Sequence, residues 1–103
     1  MTRTTTALRS FSGGVLLANA IPHGVHGVSG RPFPTPFADP PGVGMSSPKL
    51  NIVWSIANLV TAGLVLRRAP RSPLALAAGA VVMGFFLVGY FGSVDGTLRK
   101  ASA

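Results

Sequence analysis

Cysteine and glutamate are both absent from this chain of 103 residues. Without a thiol there can be no disulfide, no thiolate metal site and no cysteine nucleophile. The only acids are Asp39 and Asp95, one in a loop and one in a tail. No carboxylate therefore stands inside an apolar segment to carry a proton or to complete a metal site. Charge of any kind is scarce, at 11% of residues, against about a quarter in soluble domains. The mean hydropathy is +0.49. Nine bases against two acids give a net charge of +7, yet they sit at the ends of apolar runs. They form no basic stripe with interleaved aromatics, which argues against nucleic acid as a partner. No serine stands in a nucleophile motif and no glycine loop is built to cradle phosphate, so nothing points to an enzyme.

What is present is apolar length. Leu50 to Leu66 and Leu74 to Phe91 are two uncharged runs of 17 and 18 residues, joined by the basic knot Arg67-Arg68-Ala69-Pro70-Arg71-Ser72-Pro73. At about 1.5 Å per residue the second spans roughly 27 Å, close to the roughly 30 Å of a bilayer's hydrocarbon core. Together they predict a membrane helical hairpin. Ser47-Pro48 and Ser72-Pro73 each place a serine at an N-cap and a proline in the first turn, where no amide donor is needed. Ala75, Gly79, Ala80 and Gly84 recur at the four-residue spacing that lets helices approach closely.

The segment Phe11 to Val28 is apolar but interrupted by Asn19, Pro22, His23 and His26. Two readings compete for it. A secretory signal would have a basic start, the short core Val15-Leu16-Leu17 and a small-x-small site at Ala18-Asn19-Ala20. Against that, Gly13 and Gly14 dilute the core, and the apolar pattern continues through Ile21, Val25 and Val28. The favoured reading is a first membrane helix that leans on the hairpin, since a segment this polar inserts poorly alone. Pro22 costs it one backbone hydrogen bond. Gly30 to Lys49 then holds six of the nine prolines, with Phe33 and Phe37 among them. That density forbids helix and favours extended backbone and turns. The phenylalanines suit a loop packed over helix ends better than one awaiting a partner groove.

The expected fold is therefore a single all-α membrane domain. Its three transmembrane helices cover about residues 9–29, 48–68 and 73–92. A polar tail (1–8), an extramembrane proline-rich loop (30–47) and a second polar tail (93–103) complete it. Arg67, Arg68 and Arg71 lie directly against two spans and set the topology, placing the N-terminus inside and the C-terminus outside. Trp54 and Tyr90 then fall at the outer interface.

In that topology two polar stripes share the outer half of the membrane. Asn19, His23 and His26 are spaced four and three on helix 1; Asn51, Ser55 and Asn58 are spaced four and three on helix 2. Facing lipid would leave them unpaired, so they are expected to face each other as 19 with 58, 23 with 55 and 26 with 51. Two histidines without a third ligand make a poor metal site, and no cofactor is expected. Structural hydrogen bonding is the leading role for His23 and His26. Proton sensing near neutral pH is the minority one.

The runs Asn19 to Phe33, Pro40 to Pro48 and Asn51 to Asn58 resemble a family of small actinobacterial-type integral membrane proteins without known activity. The resemblance covers roughly residues 19–66 and carries no functional residue across. The excess of arginine over lysine and the abundance of alanine, glycine and valine fit a GC-rich bacterial genome. The resemblance implies an integral membrane protein; the expected role is an interaction or accessory subunit in a bacterial inner membrane, with lipid, another membrane protein or its own copies as partners. The alternative is an oligomeric permeation element lined by the polar seam.

Overall fold

The computed structural model describes residues 2–102, with side chains through Ser93. Three helices account for most of the chain: α1 (Arg3–Val28), α2 (Pro48–Leu66) and α3 (Pro73–Ser102). Two of them, α2 and Pro73–Ser93 of α3, are long and apolar enough to cross a membrane.

Helix α1 begins six residues earlier than the apolar pattern suggested. Thr2 is the reason: its Oγ1 accepts the amide of Thr5 at 3.0 Å, an N-cap that converts the expected tail into two helical turns. The helix runs through Pro22 without ending there. It stops in a Schellman turn, with Gly30 at φ +69°, the Gly30 amide on the Gly27 carbonyl and the Arg31 amide on the His26 carbonyl. The left-handed backbone at Gly30 is one that a side chain rarely adopts.

Ser47 Oγ accepts the Leu50 amide at 3.1 Å to start α2, and Ser72 Oγ accepts the Ala75 amide at 3.1 Å to start α3. Helix α2 ends with Arg67 as its C-cap, two residues short of the expected boundary. Helix α3 does not stop near residue 92. No proline follows Pro73, and the polar segment expected to be a tail continues as helix to Ser102. The side chains of Asp95, Arg99 and Lys100 lie outside the described residues.

The proline-rich loop contains a stub of sheet. Phe33–Pro34 (β1) pairs antiparallel with Met45–Ser46 (β2), in the register Phe33 to Ser46 and Pro34 to Met45. Thr35 closes it, its hydroxyl 2.6 Å from Ser46 Oγ and its carbonyl accepting the amides of Ala38 and Gly42. Extended backbone and turns were expected here; the pairing of the two ends was not.

The largest departure is in the packing. The hairpin reading places α2 against α3 with α1 as an adjunct. Instead α1 lies between them, packed along both, and no comparable face joins α2 to α3 among the described residues. Its buried positions explain this: Thr6, Ser10, Gly13, Gly14, Ala18, Ala20, His23 and Gly27. Such small residues let two neighbouring backbones approach one helix. A Cβ on Gly14 would collide with the Leu76 carbonyl and Ala80 amide of α3. One on Gly27 would meet Ile52 of α2.

The resulting interior is inverted. Among the described residues its buried apolar side chains are alanines only (Ala18, Ala20, Ala38 and Ala62), and its largest fully buried ones are Asn51, Thr35 and Ser10. The large apolar groups face outward: Leu74, Phe85 and Val88 are 82%, 77% and 76% exposed.

Candidate functional site

The polar stripes of α1 and α2 do meet, though not with every partner expected. Asn19 Nδ2 donates to Asn58 Oδ1 at 3.0 Å, and Asn58 Nδ2 donates to the Trp54 carbonyl of its own helix at 2.8 Å. One turn further toward the loop the pairing changes. His23 reaches Asn51, with Nδ1 and Oδ1 2.8 Å apart, rather than Ser55. Ser55 lies against Gly24, which offers no side chain, and its hydroxyl donates instead to the Ala20 carbonyl at 2.8 Å. His26 does not reach Asn51 at all. Its Nδ1 donates to the Pro22 carbonyl at 2.7 Å, and its ring stacks on Phe33 at 3.9 Å between centroids.

The cause of the shift is Asn51. It is fully buried, and its amide nitrogen lies within hydrogen-bond distance of the carbonyls of Phe33 (2.9 Å), Ser46 (3.3 Å) and Ser47 (3.1 Å). These fix the amide's orientation, so Oδ1 faces His23 and must accept. His23 Nδ1 therefore carries the proton. Asn51 is thus a hub joining α1, α2 and both ends of the loop. From the sequence it is one member of a stripe; the loop carbonyls that make it a hub come from residues up to 18 positions away.

Rings close the loop end of the seam. Phe33 sits between the two histidines and Phe91 of α3, 5.5 Å from His23 and 4.4 Å from Phe91. Phe37 meets Trp54 edge-on at 5.1 Å. Tyr90 ties α3 to the loop by donating to the Gly42 carbonyl at 2.9 Å. Trp54 and Tyr90 are at the loop end of the bundle. Beneath this cap lies a cavity of about 200 Å³ lined by Asn19, His23, Thr35, Trp54, Phe86 and Tyr90, among others. His23 Nε2 has no hydrogen-bond partner among the described residues.

At the opposite end, charge is spent on carbonyls. Arg9, at the expected start of the first helix, donates through Nη1 to the carbonyls of Val65 (2.8 Å) and Arg68 (2.9 Å), and through Nη2 to that of Pro70. Arg71 donates to the carbonyls of Leu66 and Arg67. Both guanidinium groups thus satisfy the exposed C-terminal end of α2 and oppose its dipole. Ser10, fully buried, accepts the Ser72 amide at 2.9 Å. Arg67 and Arg68 keep exposed side chains.

The four small residues of α3 divide. Gly79 is buried, and a Cβ there would strike the Phe11 carbonyl of α1. Gly84 has open space where its Cβ would stand. It lines, with Ala80, an apolar groove between α1 and α3, while Ala75 is half-buried. Among the described residues no three histidine or acidic side chains gather. Compared with protein-family models, curated proteins and solved structures, the chain matches none.

Proposed function

We propose that this chain is a three-span protein of a bacterial cytoplasmic membrane, with α1 as the third span, and that it serves as an interaction or accessory subunit. The observation that carries the reading is the inverted interior. Asparagine, threonine and serine fill it, while leucine, valine and phenylalanine face outward. In water that arrangement discards the main driving force of folding; in lipid it satisfies every helix. Helix α1 fits the same logic although its composition is too polar to stand out as a span. Its 26 residues reach about 39 Å. Its Asn19 and His23 side chains turn toward α2, and Leu8, Ile21, Val25 and Val28 face outward.

Five arginines (3, 9, 67, 68 and 71) gather at one end, which we place in the cytoplasm, and the proline-rich loop lies outside. The outward faces of α2 and α3 are the surfaces for a membrane partner or a second copy, and no catalytic role is assigned. A permeation element is the second reading, favoured by the cavity that Asn19 and His23 line.

Topology reporters at Pro70 and Ala103 should read inside and outside. In the same membranes Asn58→Cys separates the two functions. Protection from an aqueous thiol reagent, with the extracted protein running as an oligomer or with a partner, supports the accessory reading. Labelling from outside supports a path, and a cytoplasmic C-terminus would overturn the three-span topology.

A further inference from the structure

Helices α1 and α3 both begin at the end opposite the loop. Between the first two turns of α1 and the linker that leads into α3 lies a pocket of about 420 Å³ lined by Arg3, Thr6, Ala7, Pro70 and Ser72. The start of α3, which follows directly on Ser72, carries the positive end of that helix's dipole. An acidic side chain in the first turn commonly offsets that charge, and neither helix has one. The C-terminal end of α2, whose dipole would oppose it, is already answered by Arg9 and Arg71. Arg3 makes no hydrogen bond or ion pair among the described residues.

Thr6 is the independent observation. It is only 9% exposed, it lines the pocket, and its hydroxyl has no hydrogen-bond partner among the described residues. The hydroxyl is thus held by a mostly buried residue and stays open to the pocket. Ser72 stands opposite, its oxygen accepting the Ala75 amide, which leaves its proton free to donate. The pocket thus presents a cation, two hydroxyl donors and the start of α3, with no carboxylate in its lining to repel an anion.

We propose that this pocket binds a phosphate group, with the Arg3 guanidinium supplying the charge and the Thr6 and Ser72 hydroxyls donating to its oxygens. The same oxygens belong to the phosphodiester of an anionic lipid and to inorganic phosphate. The proposal rests on the membrane reading only for the lipid source, since that reading sets this end at the cytoplasmic interface.

The test uses the full chain in dodecyl maltoside, equilibrated with equal dioleoyl phosphatidylglycerol and dioleoyl phosphatidylcholine, with retained lipid counted by native mass spectrometry. Phosphatidylglycerol should be retained about fivefold over phosphatidylcholine. Arg3→Gln and Thr6→Val should each abolish most of that preference with helical circular dichroism unchanged, while Thr6→Ser keeps it. Lys49→Gln removes one charge at the loop end and should leave it intact. Displacement of the lipid by millimolar inorganic phosphate assigns the site to a free anion; resistance to it assigns the site to a lipid headgroup. Equal retention of both lipids without phosphate binding overturns the proposal, as does an equal loss in Lys49→Gln and Arg3→Gln. A protein that stays dispersed without detergent would sink the membrane reading instead, and the phosphate titration would still decide the pocket.

Discussion

Helix α1 meets its two neighbours by different means. Toward α2 it adds side-chain hydrogen bonds, Asn19 on Asn58, His23 on Asn51 and the Ala20 carbonyl under Ser55, to glycine contacts such as Gly27 on Ile52. Toward α3 it relies on glycines against backbone, with Gly14 laid on the Leu76 backbone and Gly79 on the Phe11 backbone. In an apolar solvent both are ways to hold helices together, because burying more leucine gains nothing over lipid. They differ in tolerance. A hydrogen bond can be lost or replaced at modest cost, whereas two backbones in contact leave no room for a Cβ. The α1–α3 contact should therefore be the brittle one.

That difference is broken most severely at Gly79. Even Gly79→Ala places a Cβ against the Phe11 carbonyl, which is backbone and cannot rotate away. Gly79→Leu should cost about 3 kcal/mol, the upper range for overpacking, and release α3 from α1. Thermal unfolding in mild detergent reads the loss, and wild-type stability in Gly79→Leu would mean that the two backbones are not in contact.

The polar side sharpens the comparison with a graded effect. Asn51→Leu strands the proton of His23 Nδ1 and withdraws the side-chain donor from the Phe33 and Ser46 carbonyls, while the Ser47 carbonyl keeps the backbone amide of residue 51. A loss of about 2 kcal/mol is expected, because unmet buried groups carry their full desolvation cost. Asn58→Leu removes one interhelical bond and should cost about 1 kcal/mol. Paired cysteines refine the register: 23 with 51 should crosslink, and 21 with 56 should not, since Ile21 and Ile56 both face outward. Equal losses in Asn51→Leu and Asn58→Leu would deny Asn51 its role as a hub.

These residues also mark how far the sequence could be read. The four-three spacings identify a face on each helix, and two helices run in opposite senses bring Asn19 and Asn58 to one depth. Which turn His23 reaches could not be read. That depends on where the Phe33 and Ser46 carbonyls stand, and a two-residue hairpin among prolines gives no periodic signal. The Ser-Pro starts of α2 and α3 are local chemistry and legible as such. The central place of α1 is hidden for a physical reason: glycine, serine and threonine lower the hydropathy of a segment, and the same residues let it serve two neighbours. Arg9 is hidden likewise, because its partners are carbonyls of the α2 terminus and the following linker, 56 to 61 residues away.

The smallest effect is expected at Gly84, and it is informative because Gly84 shares its spacing with Gly79. Nothing stands within 4 Å of the position its Cβ would take, and the groove it lines is walled by Ile21, Val25 and Val88. Gly84→Leu therefore fills open space at the groove and leaves the α1–α3 crossing untouched. The stability of the isolated chain should move by no more than about 0.5 kcal/mol, as for surface changes away from any packed feature. Self-association reads a different quantity in the same variant. If a second copy seats a helix in this groove, Gly84→Leu shifts the detergent-solubilised protein toward monomer while its unfolding midpoint stays put. A fall in stability as large as that of Gly79→Leu would mean that the crossing extends over both glycines, and the contrast between the two positions would be lost.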